Sequence, residues 1–344
     1  MLTGRLTIDL GALAANWRGL DALTPQGCET GAVVKADGYG CGVAQVGRAL
    51  AQAGCRAFFV ATPEEGATLR GACPGALIHV LSGYHANEEA AFRAHTLRPV
   101  LNAPEQVTAW MSGPAGPAIL QLDTGMNRLG LEADELTALG PLPNQITHLM
   151  SHLACADIPE APETPAQRAA FLEMTRPHPQ KRTLAATAGL LLGGDYHFEM
   201  TRPGIGLYGG WPHEAARRVV AAEIPILQIR DVAAGEFVGY GASWVAERKS
   251  RIATVAAGYA DGLIRAMGDG GATGYVDGHP TPFAGRVSMD LITLDVTDAP
   301  HVRPGDWIEI LGASQSIDAL AASTGTIGHE ILTSLGSRYT RIYT

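Results

Sequence analysis

Short apolar runs alternate with helical stretches along the first two-thirds of the 344-residue chain. Each apolar run is about five residues long, and the stretch that follows it has apolar positions at helical spacing. The segment Thr62–Glu65 has the features of a helix start: an N-cap threonine, a proline in the first turn and two acids near the positive end. The pattern predicts eight strands, at 33–34, 57–61, 77–81, 97–101, 118–122, 146–150, 183–186 and 204–208.

Eight β/α units spaced by roughly 20 to 35 residues favour a closed parallel (β/α)8 barrel of the TIM type. A doubly wound open sheet is the alternative. In such barrels the chemistry lies at the carboxyl ends of the strands. The residues predicted at those ends are Lys35, Thr62, Ser82, Asn102, Asp123, His152, Thr187 and the segment 202–205.

From about Arg218 the pattern changes. Helical stretches nearly disappear, and β-rich runs separated by glycine and proline predict strands near 222–229, 251–256, 291–296 and 307–311. We therefore expect two domains, a barrel over residues 1–218 and a mostly-β domain over residues 219–344. The first ten residues contain a strand pattern and are candidates to pack with the β domain.

Composition excludes several classes of protein. A net charge of −9 argues against a nucleic-acid partner, and no apolar run approaches the roughly 20 residues that span a membrane. The N-terminus has no signal-peptide pattern, and the five cysteines contain no C-x-x-C pair. We therefore expect free thiols in a reducing cytoplasm. His152-x-x-Cys155 lacks the further ligands of a zinc site, so no metal is expected.

Lys35 ends a buried, β-branched run and is followed by the turn Ala36–Gly40. Such a lysine is costly unless its ammonium is exposed, paired or used chemically. One interpretation is a strand-end lysine whose ammonium reaches water. The other is a Schiff-base lysine that holds a carbonyl cofactor.

Gly204–Gly209 matches the pattern G-x-G-x-x-G, but Gly210-Trp211-Pro212 follows it where a dinucleotide fingerprint requires a long helix. Glycine amides approach and donate to phosphate groups readily. With the Thr187 hydroxyl, this segment predicts a phosphate cup made by the last two strands, which is a recurrent feature of barrels. Arg202 precedes the cup. One interpretation is a surface arginine, and the other is an arginine that faces a cofactor ring beside the cup.

Six segments, taken together and in order, resemble the alanine racemase family, pyridoxal-phosphate enzymes of fold type III. They cover both predicted domains, and their combination is specific although each segment alone is not. The resemblance implies an N-terminal (β/α)8 barrel and a C-terminal β domain. The segments are 32–40 (AVVKADGYG), 122–130 (LDTGMNRLG), 151–154 (SHLA), 202–209 (RPGIGLYG), 257–262 (AGYADG) and 285–290 (GRVSMD).

The resemblance also implies a role for each site residue. Lys35 would bind the cofactor and serve as one proton-transfer base, and Tyr259 would be the second base on the opposite face. His152 and Arg202 would favour the deprotonated phenol through a hydrogen-bonded chain. Arg202 would bond to the pyridine nitrogen. The phosphate would be held by Tyr39, Thr187, Gly204 and Ile205, and the substrate carboxylate by Arg128 and the Met289 amide beside Asp290. Because Tyr259, Met289 and Asp290 reach the partner's barrel in the family, the resemblance implies a homodimer with composite sites.

Three positions depart from the family pattern. Gln121 stands where many members have a lysine, and we expect its amide to accept a hydrogen bond from Arg128. Thr187 replaces a frequent serine and keeps the hydroxyl. Ser337 falls near a frequent phosphate-binding tyrosine, for which Tyr339 or Tyr343 is a candidate substitute.

The predicted function is cytoplasmic racemisation of L- and D-alanine, supplying D-alanine for peptidoglycan, with small-molecule substrate and no membrane partner. Alternatives are a racemase of another amino acid, such as serine or a basic residue, and a non-catalytic pyridoxal-phosphate protein. The β domain carrying Tyr259 argues against the non-catalytic alternative. Arg202, in place of an acidic partner for the pyridine nitrogen, argues against a decarboxylase on a related fold.

Overall fold

The computed structural model describes residues 3–344 and contains two compact units. The barrel unit consists of Leu13–Tyr208 and Pro212–Arg217. The β unit consists of residues 3–12, Gly209–Trp211 and Arg218–Thr344.

Strand β1 (Arg5–Ile8) and helix α1 (Leu10–Asp21) begin the chain. Strands and helices then alternate as far as Thr201. The strands are β2 (Glu29–Thr30), β3 (Ala32–Val33), β4 (Ala57–Val60), β5 (Leu77–Val80), β6 (Arg98–Leu101), β7 (Ala118–Gln121), β8 (Ile146–Met150), β9 (Lys181–Thr183) and β10 (Met200–Thr201). The helices are α2 (Val43–Ala53), α3 (Pro63–Ala72), α4 (Glu89–Ala94), α5 (Pro104–Ser112), α6 (Ala133–Ala138), α7 (Glu163–Thr175) and α8 (Thr187–Leu191).

These strands form one parallel sheet in the order β2-β10-β9-β8-β7-β6-β5-β4-β3. The two end segments, β2 and β3, are separated in sequence only by Gly31, so they are two halves of one strand. β2 pairs with β10 and β3 pairs with β4, and the Gly31 N–H donates to the Thr201 carbonyl at 2.9 Å. The predicted (β/α)8 barrel is confirmed, because eight strands result when the halves are joined.

The eighth strand lies earlier than its predicted place. Met200–Thr201 forms this strand, whereas the predicted segment contains a 3₁₀ helix over Ile205–Tyr208. All four residues of that helix are buried, and the Leu207 N–H donates to the Gly204 carbonyl at 2.8 Å. A short, wholly buried apolar run has the same sequence pattern in a strand and in a helix, which explains the error.

Apolar side chains from five of the strands pack together in the barrel. Thr62 caps α3 as predicted, because its hydroxyl accepts the Glu65 N–H and Pro63 follows it. Beyond this packed interior lie the carboxyl ends of the strands, where a barrel carries its catalytic residues. The interior cluster consists of Ala57, Phe59, Val100, Ile119, Met150 and Met200, with Val33 and Leu81 against it.

The β unit is mostly antiparallel. Its strands are β11 (Val220–Val232), β12 (Phe237–Val238), β13 (Trp244–Val245), β14 (Ser250–Val255), β15 (Thr273–Val276), β16 (His279–Pro282), β17 (Ile292–Asp295), β18 (Trp307–Leu311) and β19 (Thr340–Tyr343), and its helices are α9 (Ile317–Ser323) and α10 (Gly328–Ser334). The main sheet runs β16-β15-β18-β11-β1-β19, and β14 pairs with both β11 and β17. β1 lies antiparallel to β11 and parallel to β19.

The helices are short. The longest, α7, has 13 residues, and within residues 3–344 no helix is long and apolar enough to cross a membrane.

Candidate active site

Lys35 follows β3 at the carboxyl end of the barrel and begins a left-handed turn. Positive φ angles run through the next five residues, from Ala36 (54°) and Asp37 (52°) to Tyr39 (55°), with Gly38 and Gly40 between and after them. Such a conformation is unfavourable for L-residues, and consecutive residues seldom adopt it. Contacts with the surrounding residues must therefore stabilise the unfavourable backbone conformation after Lys35.

Glu65 holds this turn. Its two carboxylate oxygens accept the Ala36 N–H and the Ala61 N–H, each at 2.7 Å, so one side chain joins the turn after β3 to the end of β4. Lys35 remains exposed to solvent, but partial desolvation by the surrounding protein and, to a smaller extent, the charge of Arg128 lower the pKa of Lys35. The Glu65 carboxylate opposes this shift. A lysine whose pKa is lowered presents more of the neutral amine, which is the nucleophilic form.

Arg202 lies inside the barrel unit and is only 4% exposed. Its guanidinium donates to the Thr183 hydroxyl, to the Ser151 carbonyl at 2.8 Å and to the Leu184 carbonyl at 3.2 Å. These partners are all neutral, and burial lowers the pKa of Arg202 to about 9. The side chain remains a cation near neutral pH, and two of its five N–H donors have no acceptor within residues 3–344, so they can serve a ligand.

His152 follows β8, and Gln167 fixes the segment around it. The Gln167 amide donates to the His152 carbonyl at 3.0 Å and accepts the Ala154 N–H at 2.8 Å. Burial, then the charges of Arg202, Arg128 and Lys35, lowers the pKa of His152 to about 3. The imidazole is therefore neutral near neutral pH, chiefly because it is buried and to a smaller extent because three cations lie near it.

Tyr39 packs on Tyr208, with ring centroids 4.4 Å apart and planes 25° from parallel. The Tyr208 hydroxyl donates to the Val33 carbonyl at 3.3 Å. A Cβ added to Gly204 would lie 2.5 Å from the Tyr39 hydroxyl, so the close approach of this tyrosine requires glycine at position 204.

The Thr187 hydroxyl lies between the glycines of the predicted phosphate cup. It is buried and accepts the Gly204 N–H at 3.0 Å and the Gly206 N–H at 3.3 Å. The N–H of Ile205, between them, has no acceptor among the described residues. Thr187 thus shapes the cup, and the Ile205 amide is available to an anion.

Arg128 lies on an exposed loop between β7 and α6. Gln121, at the end of β7, is buried and donates through Nε2 to the Leu129 carbonyl at 3.0 Å. The expectation that Gln121 accepts a hydrogen bond from Arg128 is wrong. The Gln121 amide bonds instead to the backbone carbonyl of Leu129, the residue after Arg128. The Leu131 N–H also donates to the Gln121 carbonyl, at 2.9 Å. Both bonds hold the loop that presents Arg128.

Tyr259, Met289 and Asp290 lie together in the β unit. Tyr259 begins a 3₁₀ turn and is 43% exposed, and Met289 is 54% exposed. The Tyr259 N–H donates to the Ser288 carbonyl and the Ala260 N–H to the Met289 carbonyl, both at 3.0 Å. The structure therefore brings the predicted site residues together in two groups, one inside each unit.

The two candidate substitutes near Ser337 have different surroundings. Tyr339 is buried in the β unit, where its ring lies against Gly4, and its hydroxyl has no hydrogen-bond partner among the described residues. Tyr343 lies on β19, opposite Ile8 of β1.

The barrel residues fit pyridoxal phosphate. An accessible lysine with a lowered pKa suits a carbonyl group, the buried cation of Arg202 suits a ring nitrogen that accepts a hydrogen bond, and the Ile205 amide with its glycine neighbours suits a phosphate. No group of three or more His, Cys, Asp or Glu side chains that could hold a metal ion occurs within the described part of the chain.

Sequence reasoning missed the residues that hold the site residues in place. Glu65 looked like an ordinary acid in the first turn of a helix, and Tyr208 was placed in a strand. Gln167 and Arg338 carry no local signal, because their partners are far away in sequence.

Comparison with known proteins agrees with this geometry. Residues 8–212 match the alanine racemase N-terminal domain and residues 219–343 match the alanine racemase C-terminal domain. An alanine racemase of Ruegeria sp. (strain TM1040) is 52% identical over 347 aligned positions, covering 100% of this chain and 99% of that protein.

Solved structures agree as well. Alanine racemase from Bartonella henselae, with covalently bound pyridoxal phosphate, superposes with a TM-score of 0.94 at 39% identity, covering 99% of each chain. The biosynthetic alanine racemase from Pseudomonas aeruginosa gives 0.93 at 36% identity, covering 100% of each chain. With both domain matches and full-length relatives at this identity, the chain belongs to the alanine racemase family.

Proposed function

We propose that this chain interconverts L- and D-alanine with pyridoxal phosphate. The observation that carries the proposal is Lys35, accessible at the carboxyl end of the barrel with a lowered pKa, in the same unit as the buried cation Arg202. Membership of the alanine racemase family supports the choice of substrate and cofactor.

Pyridoxal phosphate, when bound, withdraws electrons from the substrate Cα and so acidifies its proton. Racemisation then needs a proton removed from one face of Cα and another delivered to the opposite face, with no net consumption of protons. We assign these two transfers to Lys35 and Tyr259. The lowered pKa of Lys35 supports its role, because a neutral amine accepts a proton and an ammonium does not.

Arg202 would set the protonation state of the pyridine ring. It would donate to the pyridine nitrogen, and because its own pKa of about 9 keeps it protonated near neutral pH, that nitrogen stays unprotonated. An unprotonated ring withdraws electrons more weakly, which disfavours side reactions such as transamination. Tyr39, Thr187, Gly204 and Ile205 would hold or shape the phosphate site, and His152 would stay neutral beside it.

Arg128 and the Met289 amide, with Asp290 beside them, would bind the substrate carboxylate. We assign cofactor binding to residues 1–218 and the supply of Tyr259, Met289 and Asp290 to residues 219–344. Exposed side chains on the β unit, including Tyr240 at 71%, Met289 and Leu291, support association with a second copy. In the proposed homodimer these residues complete the barrel site of the partner subunit.

We further propose a cytoplasmic location and a supply of D-alanine for peptidoglycan. All five cysteines are free thiols, two of them partly accessible, which is typical of a reducing compartment.

The test is racemisation by purified protein with pyridoxal phosphate, followed as loss of optical activity from L- and D-alanine, with serine and lysine assayed in parallel. Lys35→Ala should reduce the rate by at least about 10⁴-fold, because both the cofactor attachment and one base are lost. Lys181→Ala is the matched control, since Lys181 is exposed at the opposite end of its strand. An unchanged rate in Lys35→Ala would overturn the proposal, and a higher kcat/KM for serine or lysine would reassign the substrate.

A further inference from the structure

Two turns of the β unit lie directly against each other. One is Gly258–Gly262, which carries Tyr259, and the other is 288–291, which carries Met289 and Asp290. The Tyr259 and Ala260 N–H groups of the first turn donate to the Ser288 and Met289 carbonyls of the second. A Cβ on Gly258 would lie 2.3 Å from the Ser288 oxygen. Movement of one turn therefore displaces the other.

A single guanidinium spans both turns. Arg338 donates through Nε and Nη2 to the two oxygens of Asp261, at 2.7 and 2.9 Å, and through Nη1 to Asp290 at 2.7 Å. Asp261 in turn accepts the Gly258 N–H at 2.9 Å. Arg338 is thus bonded to the carboxylate that closes the Tyr259 turn and to a side chain of the second turn.

The two bonds of this bridge differ in character. The Asp261 side chain is only 7% exposed, and a buried carboxylate is tolerated when a partner neutralises it and satisfies its oxygens. The two-pronged arginine bond does both. The Asp290 side chain is 57% exposed, where a single ion pair adds little stability. What the second bond supplies is therefore orientation of Asp290 relative to Asp261.

We propose that Arg338 is a positioning residue that sets the Tyr259 turn and the Met289–Asp290 turn in one fixed geometry. The proton transfer assigned to Tyr259 depends on this geometry both for the position of the base and for the position of the substrate carboxylate. The transfer assigned to Lys35, which lies in the other unit, depends on it only through the carboxylate. This inference rests on the proposed function, from which the roles of Tyr259, Met289 and Asp290 come.

The test uses the holoenzyme of Arg338→Met and of Arg338→Lys, with L- and D-alanine deuterated at Cα. In Arg338→Met, kcat should fall about 100-fold, the scale of a misplacement of about 1 Å. The isotope effect on kcat/KM should rise for the enantiomer that Tyr259 deprotonates and fall towards one for the other. This asymmetry arises because slowing one of two serial transfers makes the other less rate-limiting.

Arg338→Lys keeps a cation beside the buried Asp261, but its single nitrogen lacks the planar fork that bonds to both carboxylates from separate nitrogens. We expect a smaller loss of rate with isotope effects that move in the same directions. The visible absorbance of the bound cofactor should be unchanged in both variants and confirms that the barrel is intact. Isotope effects that stay at the parent values for both enantiomers would overturn the inference even where kcat falls. A purely structural loss of active enzyme reduces the L-to-D and the D-to-L rates by the same factor and leaves the isotope effects unchanged.

Two further variants separate this inference from the proposed function. Arg248→Met removes an arginine of the same unit from an exposed pair with Asp298, and should leave rate and isotope effects unchanged. Tyr259→Phe should strongly reduce racemisation. If Tyr259→Phe keeps full activity, the proposed role of Tyr259 is wrong. If it loses activity while Arg338→Met keeps parent isotope effects, only the role of Arg338 is wrong.

Discussion

The two units fix their site residues in different ways. In the barrel unit, Arg202 and Thr187 are buried, and their side chains bond directly to backbone groups around them. In the β unit, Tyr259 and Met289 have exposed side chains, and what is fixed is the backbone of the turns beneath them. The barrel site residues are therefore fixed through buried side chains, whereas the β-unit site residues are fixed through the backbone of two adjoining turns.

This difference matches a division of labour. A cofactor site gains from buried, preorganised donors, because they need no rearrangement when the ligand binds. A base that acts on a substrate from outside its own unit must protrude. Substitutions in the phosphate cup should therefore affect cofactor affinity, whereas substitutions in the β-unit turns should affect turnover. Four predictions compare the two units.

Arg202→Met should have the largest effect of these four, a loss of about 10³-fold in racemisation rate, because a preorganised donor to the ring is removed. The Ser151 and Leu184 carbonyls also lose their donor, at a cost to stability of about 3 kcal/mol. Steady-state kinetics and urea unfolding measure the two effects. Arg182→Met, which removes a partly exposed pair with Glu199, is the control and should change the rate little. A rate in Arg202→Met equal to that of the control would contradict the assignment.

Gly258→Ala should reduce kcat about 100-fold with cofactor affinity unchanged. The added Cβ lies 2.3 Å from the Ser288 oxygen and 2.4 Å from the Met289 oxygen, both backbone atoms, so the two turns must separate. A displacement of this size near reacting groups costs about two orders of magnitude. Gly75→Ala adds the same methyl group into open space and should behave as the parent chain does. Weakened cofactor binding in Gly258→Ala would contradict the separation of roles.

Thr187→Val should weaken cofactor binding about tenfold without a matching loss of kcat at saturating cofactor. Valine has the same shape but leaves the Gly204 and Gly206 N–H groups without their acceptor, which costs about 1 to 3 kcal/mol. Titration of the apoprotein with pyridoxal phosphate, followed by visible absorbance, measures the effect. Thr187→Ser keeps the hydroxyl and should restore affinity. If serine and valine behave alike, the hydroxyl does not organise the cup.

Acid should destabilise the barrel unit more than the β unit. Burial lowers the pKa of His79 to about 3, of His148 to about 4 and of His152 to about 3. At pH values between these and the ordinary pKa of 6.5, the unfolded chain binds more protons than the folded chain does. The free energy of unfolding therefore falls as the pH drops below about 6.5. Each histidine contributes up to about 1.4 kcal/mol per pH unit.

Urea midpoints at pH 7.5 and pH 5.5 measure this dependence. His79→Leu should reduce the difference between the free energies of unfolding obtained from the two urea titrations by about 1 kcal/mol, which is the smallest of the four effects. His279→Leu, on the exposed surface of the β unit, should leave it unchanged. An unaltered pH dependence in His79→Leu would show that this histidine titrates normally.

The sequence predicted the features that depend on local pattern. Buried parallel strands appear as uninterrupted apolar runs, so the barrel and the position of Lys35 could be located. The path of a loop cannot be read in this way, and the Gln121 amide was therefore assigned the wrong partner. Arg338 was missed because Asp261 and Asp290 are 77 and 48 residues away, so that only the folded β unit brings them together.

The left-handed turn after Lys35 has a consequence for protein design. Ala36, Asp37 and Tyr39 each adopt a backbone that costs an L-residue about 1–2 kcal/mol, and the Glu65 carboxylate accepts one of its N–H groups. Transplanting the lysine alone to another barrel would leave it on a relaxed, right-handed backbone. A portable version of this site is therefore a cassette of residues 35–40 together with the helix that carries Glu65. In that cassette, glycine at position 36 is the first substitution that should make the graft more stable.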